Sequence, residues 1–172
     1  MRDVRAWWLV CVAVAAAAIS VTPGVPAQGE SAPVPRPVLV LPVDGGALVR
    51  LASIPEQNWR PGHRGVDIAT EPGADVVAPG SGRVVFAGPV AGRDVVTIRL
   101  DVGVNATLEP VMASVAVGDR VARGAVVGEV TDAAGHCAPA TCVHWGIKHG
   151  DLYLDPLDWL VGFGPVVLLP ND

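Results

Sequence analysis

Twenty glycines and sixteen prolines punctuate these 172 residues, and that punctuation constrains the fold more than any other feature. In a helix interior a glycine costs about 1 kcal/mol relative to alanine and a proline about 3 kcal/mol. Long helices are therefore excluded from most of the chain. Turn signals such as Pro79-Gly80-Ser81-Gly82, Ala91-Gly92 and Gly118-Asp119 separate short runs rich in valine and isoleucine. The runs at 38–42, 75–78, 82–87, 94–100, 106–111, 120–121, 125–130 and 142–148 read as strands. Short strands at this spacing predict an all-β domain of barrel or sandwich type. The segment 153–160 reads as a short helical turn or docking segment.

Composition narrows the class further. The chain is 51% hydrophobic and 17% charged, against about 25% charged in an ordinary soluble domain, so disorder is excluded. A net charge of −5 argues against a nucleic-acid binder. Much of the apolar excess lies in residues 6–21, which carry no charge and are flanked by Arg2 and Arg5. This run is shorter than the roughly 20 residues of a membrane-spanning helix. It is followed by Pro23 and Pro26, with small residues at Val25-Pro26-Ala27. Residues 1–27 are expected to be a cleaved secretory signal, the alternative being a retained anchor. Cleavage would leave no membrane span, a Pro-rich linker at 28–37, and one domain at 38–172. It would also remove Cys11, leaving Cys137 and Cys142 in an oxidising compartment, which favours a disulfide between them.

The segment Gly62-His63-Arg64-Gly65-Val66-Asp67 places an imidazole and a carboxylate four residues apart. On a regular strand they would lie about 13 Å apart, so sharing an ion requires a bend, and Gly65 midway is expected to supply it. Zinc accepts such ligands at about 2.0–2.2 Å and keeps an open position in catalytic sites. His144, inside a predicted strand, is the candidate third ligand. Spacing alone also admits a solvated pair, or a carboxylate that merely orients an imidazole. His136 stands beside a cysteine in a loop, and His149 falls in a turn and is expected to be solvated.

Two half-motifs, at 82–85 and 117–124, suggest a barrel-sandwich hybrid such as the lipoyl and biotinyl carriers use. Those carriers modify a lysine at a hairpin tip. The sole lysine here is Lys148, outside that hairpin, which removes the carrier reading.

Taken in order, HRGVDIAT at 63–70, PGADVVAPGSGRVVFAG at 72–88, VAVGDRVARGAVVGEV at 115–130 and VHWGIKHGDLYLDPLDWL at 143–160 resemble the lysostaphin/LytM-type zinc metallopeptidases. The resemblance covers residues 55–160. It implies a compact antiparallel β fold with a groove, and one zinc ion held by His63, Asp67 and His144. It also implies a bacterial cell-envelope location and a peptidoglycan peptide as substrate.

The sequence departs from that family at two positions. The family ends in a His-x-His motif whose first histidine assists catalysis, and Cys142 stands there. A second assisting histidine belongs to a Tyr-x-His segment, where Pro110 is expected to take its place. Cys142 and His144 should share a strand face. As a thiolate, Cys142 would be a fourth zinc ligand or a nucleophile; bridged to Cys137, it would be neither. Glu109 is a candidate replacement base, expected to face the opposite side unless a bulge re-aims it. Two functions stay open: a metalloendopeptidase, and a degenerate LytM-like module that binds the cell wall or regulates a partner cell-wall hydrolase.

Overall fold

The computed structural model describes residues 38–132, 135 and 137–162. The expected signal at 1–27, the linker at 28–37 and His136 lie outside the described residues. Within them the valine-rich runs form strands β1 (Ala47–Arg50), β2 (Val66–Ala69), β3 (Asp75–Val77), β4 (Gly82–Val90), β5 (Arg93–Leu100) and β6 (Asn105–Glu109). They continue as β7 (Val111–Ala113), β8 (Arg120–Val121), β9 (Val126–Val130), β10 (Cys142–His149) and β11 (Leu152–Leu154). A 3-10 turn, Pro156–Trp159, follows, with the Asp155 side chain accepting from the Leu157 N–H at 2.9 Å.

The strands form two antiparallel sheets. The larger runs β1-β2-β10-β6-β5-β4-β8, with β11 also paired to β10; the smaller is β3-β9-β7. Strands β1 and β8 are the two ends of the larger sheet, so it is open and does not close into a barrel. The β4–β5 hairpin turns through Ala91 and Gly92 at φ of 50° and 82°, the left-handed pair that matches strand twist in a two-residue loop.

Alternation along the central strands sorts side chains by chemistry. Val66 and Ile68 of β2, Val143, Trp145 and Ile147 of β10, and Ala106 and Leu108 of β6 all point into one apolar cluster and are fully buried. Val76, Val111, Val127 and Val130 of the smaller sheet join that cluster. Each such aliphatic side chain contributes about 1.5–3 kcal/mol by leaving water. Asp67, His144 and Glu109 take the intervening positions and so lie on the opposite face of the larger sheet.

Several segments differ from the sequence expectation. Residues 38–42 form no ladder, because their backbone bonds go to separate segments: Val38 and Leu39 N–H to Trp159 O, Val40 N–H to Pro79 O. Strands β1 and β2 arise where only loop was expected; β10 pairs with β2, and β2 in turn pairs with β1. The run at 106–111 divides at Pro110, which has no N–H to donate; β6 stays in the larger sheet and β7 enters the smaller one.

Candidate metal centre

Strand β10 lies between β2 and β6, and its register sets the site. His144 is directly opposite Asp67 on β2 and opposite Glu109 on β6. One row across three strands therefore reads Asp67, His144, Glu109. His63 reaches this row from the segment before β2. Its backbone pairs with that of Ser53 through N–H to O bonds of 2.8 and 3.0 Å, which fixes the direction of its side chain.

The ligand atoms form a small triangle. His63 Nε2 lies 3.0 Å from Asp67 Oδ1 and 3.1 Å from His144 Nδ1, and His144 Nδ1 lies 2.8 Å from Asp67 Oδ1. Tetrahedral bonds of about 2.0–2.1 Å set ligand atoms roughly 3.3 Å apart, close to these separations. His63 and Asp67 are buried, and the His144 side chain is 13% exposed.

The donor set fits a cation. His63 Nδ1 lies 2.8 Å from Leu51 O. A carbonyl only accepts, so Nδ1 carries the proton and the neutral ring's Nε2 presents its lone pair to the triangle. With Nδ1 of His63 protonated, His63 Nε2 and Asp67 Oδ1 face each other at 3.0 Å as two acceptors, and a proton on His144 Nδ1 cannot serve all three contacts. Asp67 Oδ2 is buried with no hydrogen-bond partner among the described residues, which costs about 1–3 kcal/mol when uncompensated. A divalent cation at the triangle would accept a lone pair from each of the three ligand atoms. The His63–Leu51 bond is the outer contact that typically fixes a ligating imidazole.

Gly65 serves differently from the expectation. It does not adopt a positive φ. A Cβ there would meet Trp145 O at 2.3 Å and the His144 ring at 2.8 Å. The glycine is required by close approach of β10, not by a bend.

A groove of about 240 Å³ opens beside His144 and is lined by Thr107 and Glu109 of β6, Gly146 and Lys148 of β10, and Arg64 and Tyr153. Glu109 corrects the sequence expectation. It faces this groove without a bulge, because Leu108 takes the core side, whereas Pro110 is buried and does not line the groove. The Glu109 carboxylate is oriented by Arg93, whose Nε lies 3.5 Å from Oε2. Sequence reasoning missed Arg64, Arg93, Thr107 and Tyr153. The polar-apolar alternation Asn105-Ala106-Thr107-Leu108-Glu109 was the signal that could have placed two groove residues.

Cys142 and Cys137 form a disulfide, with Cα atoms 5.9 Å apart. Their sulfurs and an Asp67 oxygen lie within 4.8 Å of one another, so the bridge stands next to the triangle. A disulfide sulfur is not a thiolate, and the bridge leaves no Cys142 thiolate to act as ligand or nucleophile. His149, at the end of β10, is exposed.

Two histidines and an aspartate converging beside a groove on an open antiparallel sheet define a metallopeptidase-type domain. Residues 61–156 match peptidase family M23, and the chain belongs to that family. It is 45% identical over 130 residues to an uncharacterized protein of Mycobacterium bovis (Mb2915) and to one of Mycobacterium tuberculosis (Rv2891), covering 72% of this chain and 51% of theirs. The chain thus spans about half the length of the curated relatives it matches. The solution structure of lysostaphin superposes with a TM-score of 0.62 at 20% identity, covering 79% of this chain and 61% of that one. A zinc-containing peptidase from Vibrio cholerae gives 0.60 at 19% identity, covering 70% and 39%. These two likenesses concern the fold.

Proposed function

We propose that this chain is a secreted zinc metalloendopeptidase acting on peptidoglycan peptides. The observation that carries the reading is the ligand triangle of His63 Nε2, Asp67 Oδ1 and His144 Nδ1 with its fixed His63 tautomer. His63, Asp67 and His144 would hold the ion. Zinc, when bound in such a site, polarises a carbonyl and lowers the pKa of coordinated water. The protein's own residues supply the rest. The groove admits an extended peptide along β10 beside His144. The Glu109 carboxylate, held by Arg93, takes a proton from the attacking water and returns it to the leaving amine nitrogen. Secretion rests on the apolar segment at 6–21 and on the disulfide.

A second reading has one observation in its favour. Cys142 stands where the resemblance expects an assisting histidine, and its sulfur is tied to Cys137. A chain short of one proton-handling group is suited to hold cell-wall peptide, or a partner cell-wall hydrolase, without cutting it.

The experiment is a metal analysis of the purified chain, followed by incubation with cross-linked peptidoglycan beside a His144→Ala control. One zinc per chain and amine release above the control support the peptidase. Zinc without release selects the binding module, and lack of zinc removes the metal site and with it the peptidase.

A further inference from the structure

We propose that the groove carries a carboxylate-binding subsite, formed by Arg64 and Lys148 around Tyr153, that selects a peptide bearing a free carboxylate on one side of the reacting bond. The proposal rests on the peptidase reading and specifies its substrate. His144, Gly146 and Lys148 alternate along one face of β10, and Gly146 offers no side chain to block the path between the other two. A Cβ on Gly146 would stand 3.1 Å from Arg64 O, so the backbone of Arg64 borders the groove at that point. The guanidinium carbon of Arg64 lies 5.5 Å from the Tyr153 ring centroid, and Lys148 Nζ lies 5.4 Å from it. One aromatic ring thus gathers two cations in a chain whose net charge is −5.

Neither cation is paired with a buried carboxylate. The Arg64 guanidinium donates to the backbone carbonyls of Asn58 and Arg60, neutral acceptors that aim it without cancelling its charge. Lys148 Nζ is 3.6 Å from Asp151, whose carboxylate is 99% exposed, and a pair so open to water is weak and readily exchanged. The opposite end of this strand face lacks such charge. Around Ala69, Thr141 and Pro139 a second depression contains Glu71 as its one charged residue among those described. The groove is therefore polar in the electrical sense, positive toward Lys148. At about 3.3 Å per residue, Lys148 is roughly 13 Å along the strand from His144. A carboxylate within about four residues of the reacting bond reaches it, whether it ends the chain or belongs to an acidic side chain.

The test uses three matched synthetic peptides on the zinc-loaded chain: one with a free C-terminal carboxylate, one amidated at that end, and one amidated with an acidic side chain inside. Calorimetry reads binding and amine release reads cleavage. A carboxylate peptide should bind about tenfold tighter than the fully amidated one, and this advantage should vanish in R64Q/K148Q. The two carboxylate peptides tell a terminal from a side-chain source. Because Arg64 also ties two backbone carbonyls, Lys148→Gln alone carries the test if the double variant fails to fold, and Lys148→Arg should restore the preference. Equal binding and equal cleavage of acid and amide would overturn the subsite and leave the peptidase reading standing. Carboxylate-selective binding with no cleavage of any peptide would keep the subsite and overturn the peptidase. Binding of none overturns the subsite.

Discussion

His144 and Glu109 are direct cross-strand partners on β10 and β6, and Asp67 is the partner of the same histidine on its other side. Opposed residues of an antiparallel pair carry side chains on the same face, about 4.5–5.5 Å apart at Cβ. Glu109 is thereby tied to the centre by sheet register, although it is not one of the three atoms of the triangle. Separate roles for the two neighbours of His144 lead to separable effects on substitution.

Glu109→Gln keeps the shape and removes the carboxylate's basicity. Zinc content should be unchanged while kcat falls by about 10²–10⁴, the usual cost of losing a general base. Steady-state kinetics beside metal analysis checks both halves. An unchanged kcat would remove Glu109 from the chemistry.

Asp67→Asn should do the reverse, with loss of bound zinc as the primary effect. In the unaltered chain, metal binds the folded form alone and should raise stability by about 2.7 kcal/mol at a free concentration 100 times Kd. Thermal unfolding with and without a chelator reads this. The variant should show no chelator-dependent change in Tm.

Gly65→Ala places a Cβ 2.3 Å from the Trp145 carbonyl oxygen, a backbone atom with little freedom to yield. Overpacking of this kind costs typically 1–3 kcal/mol. Denaturant unfolding should show at least that loss, accompanied by weaker zinc retention because β10 carries both Trp145 and His144. A variant of unaltered stability would contradict the packing described.

Cys137→Ser with Cys142→Ser opens a bridge across a sequence separation of 5 residues. So short a loop restricts the unfolded chain only modestly, and the loss expected from chain entropy is about 2 kcal/mol. Zinc stoichiometry should persist, since the sulfurs are not members of the His63–Asp67–His144 triangle. A mass change of two hydrogens on reduction of the unaltered chain verifies the bridge.

Much of the fold was legible because glycine and proline mark the turns, and the intervening valines alternate with polar residues. β4, β5, β9 and β10 are near their expected places for that reason. β1 and β2 were not legible. The first is mostly exposed, and the second is so short that its strand character depends on β10, which lies far away in sequence. The site divides along the same line. His63, Asp67 and His144 could be singled out by type and order. The reason for Gly65 could not, because the atoms crowding it belong to β10. The side on which Glu109 falls follows from strand alternation and not from Pro110. The apolar partner Leu108, one residue earlier, held the answer.

The register that joins Asp67 to His144 across 77 residues also sets an order of events in time. Neither β2 nor β6 can present its acidic residue to the centre until β10 has been synthesised and inserted between them. Closing so long a loop is entropically slow. The centre is thus among the last features of the chain to come into being. A ribosome-bound nascent chain ending before residue 142 would contain His63, Asp67 and Glu109 and still have no centre.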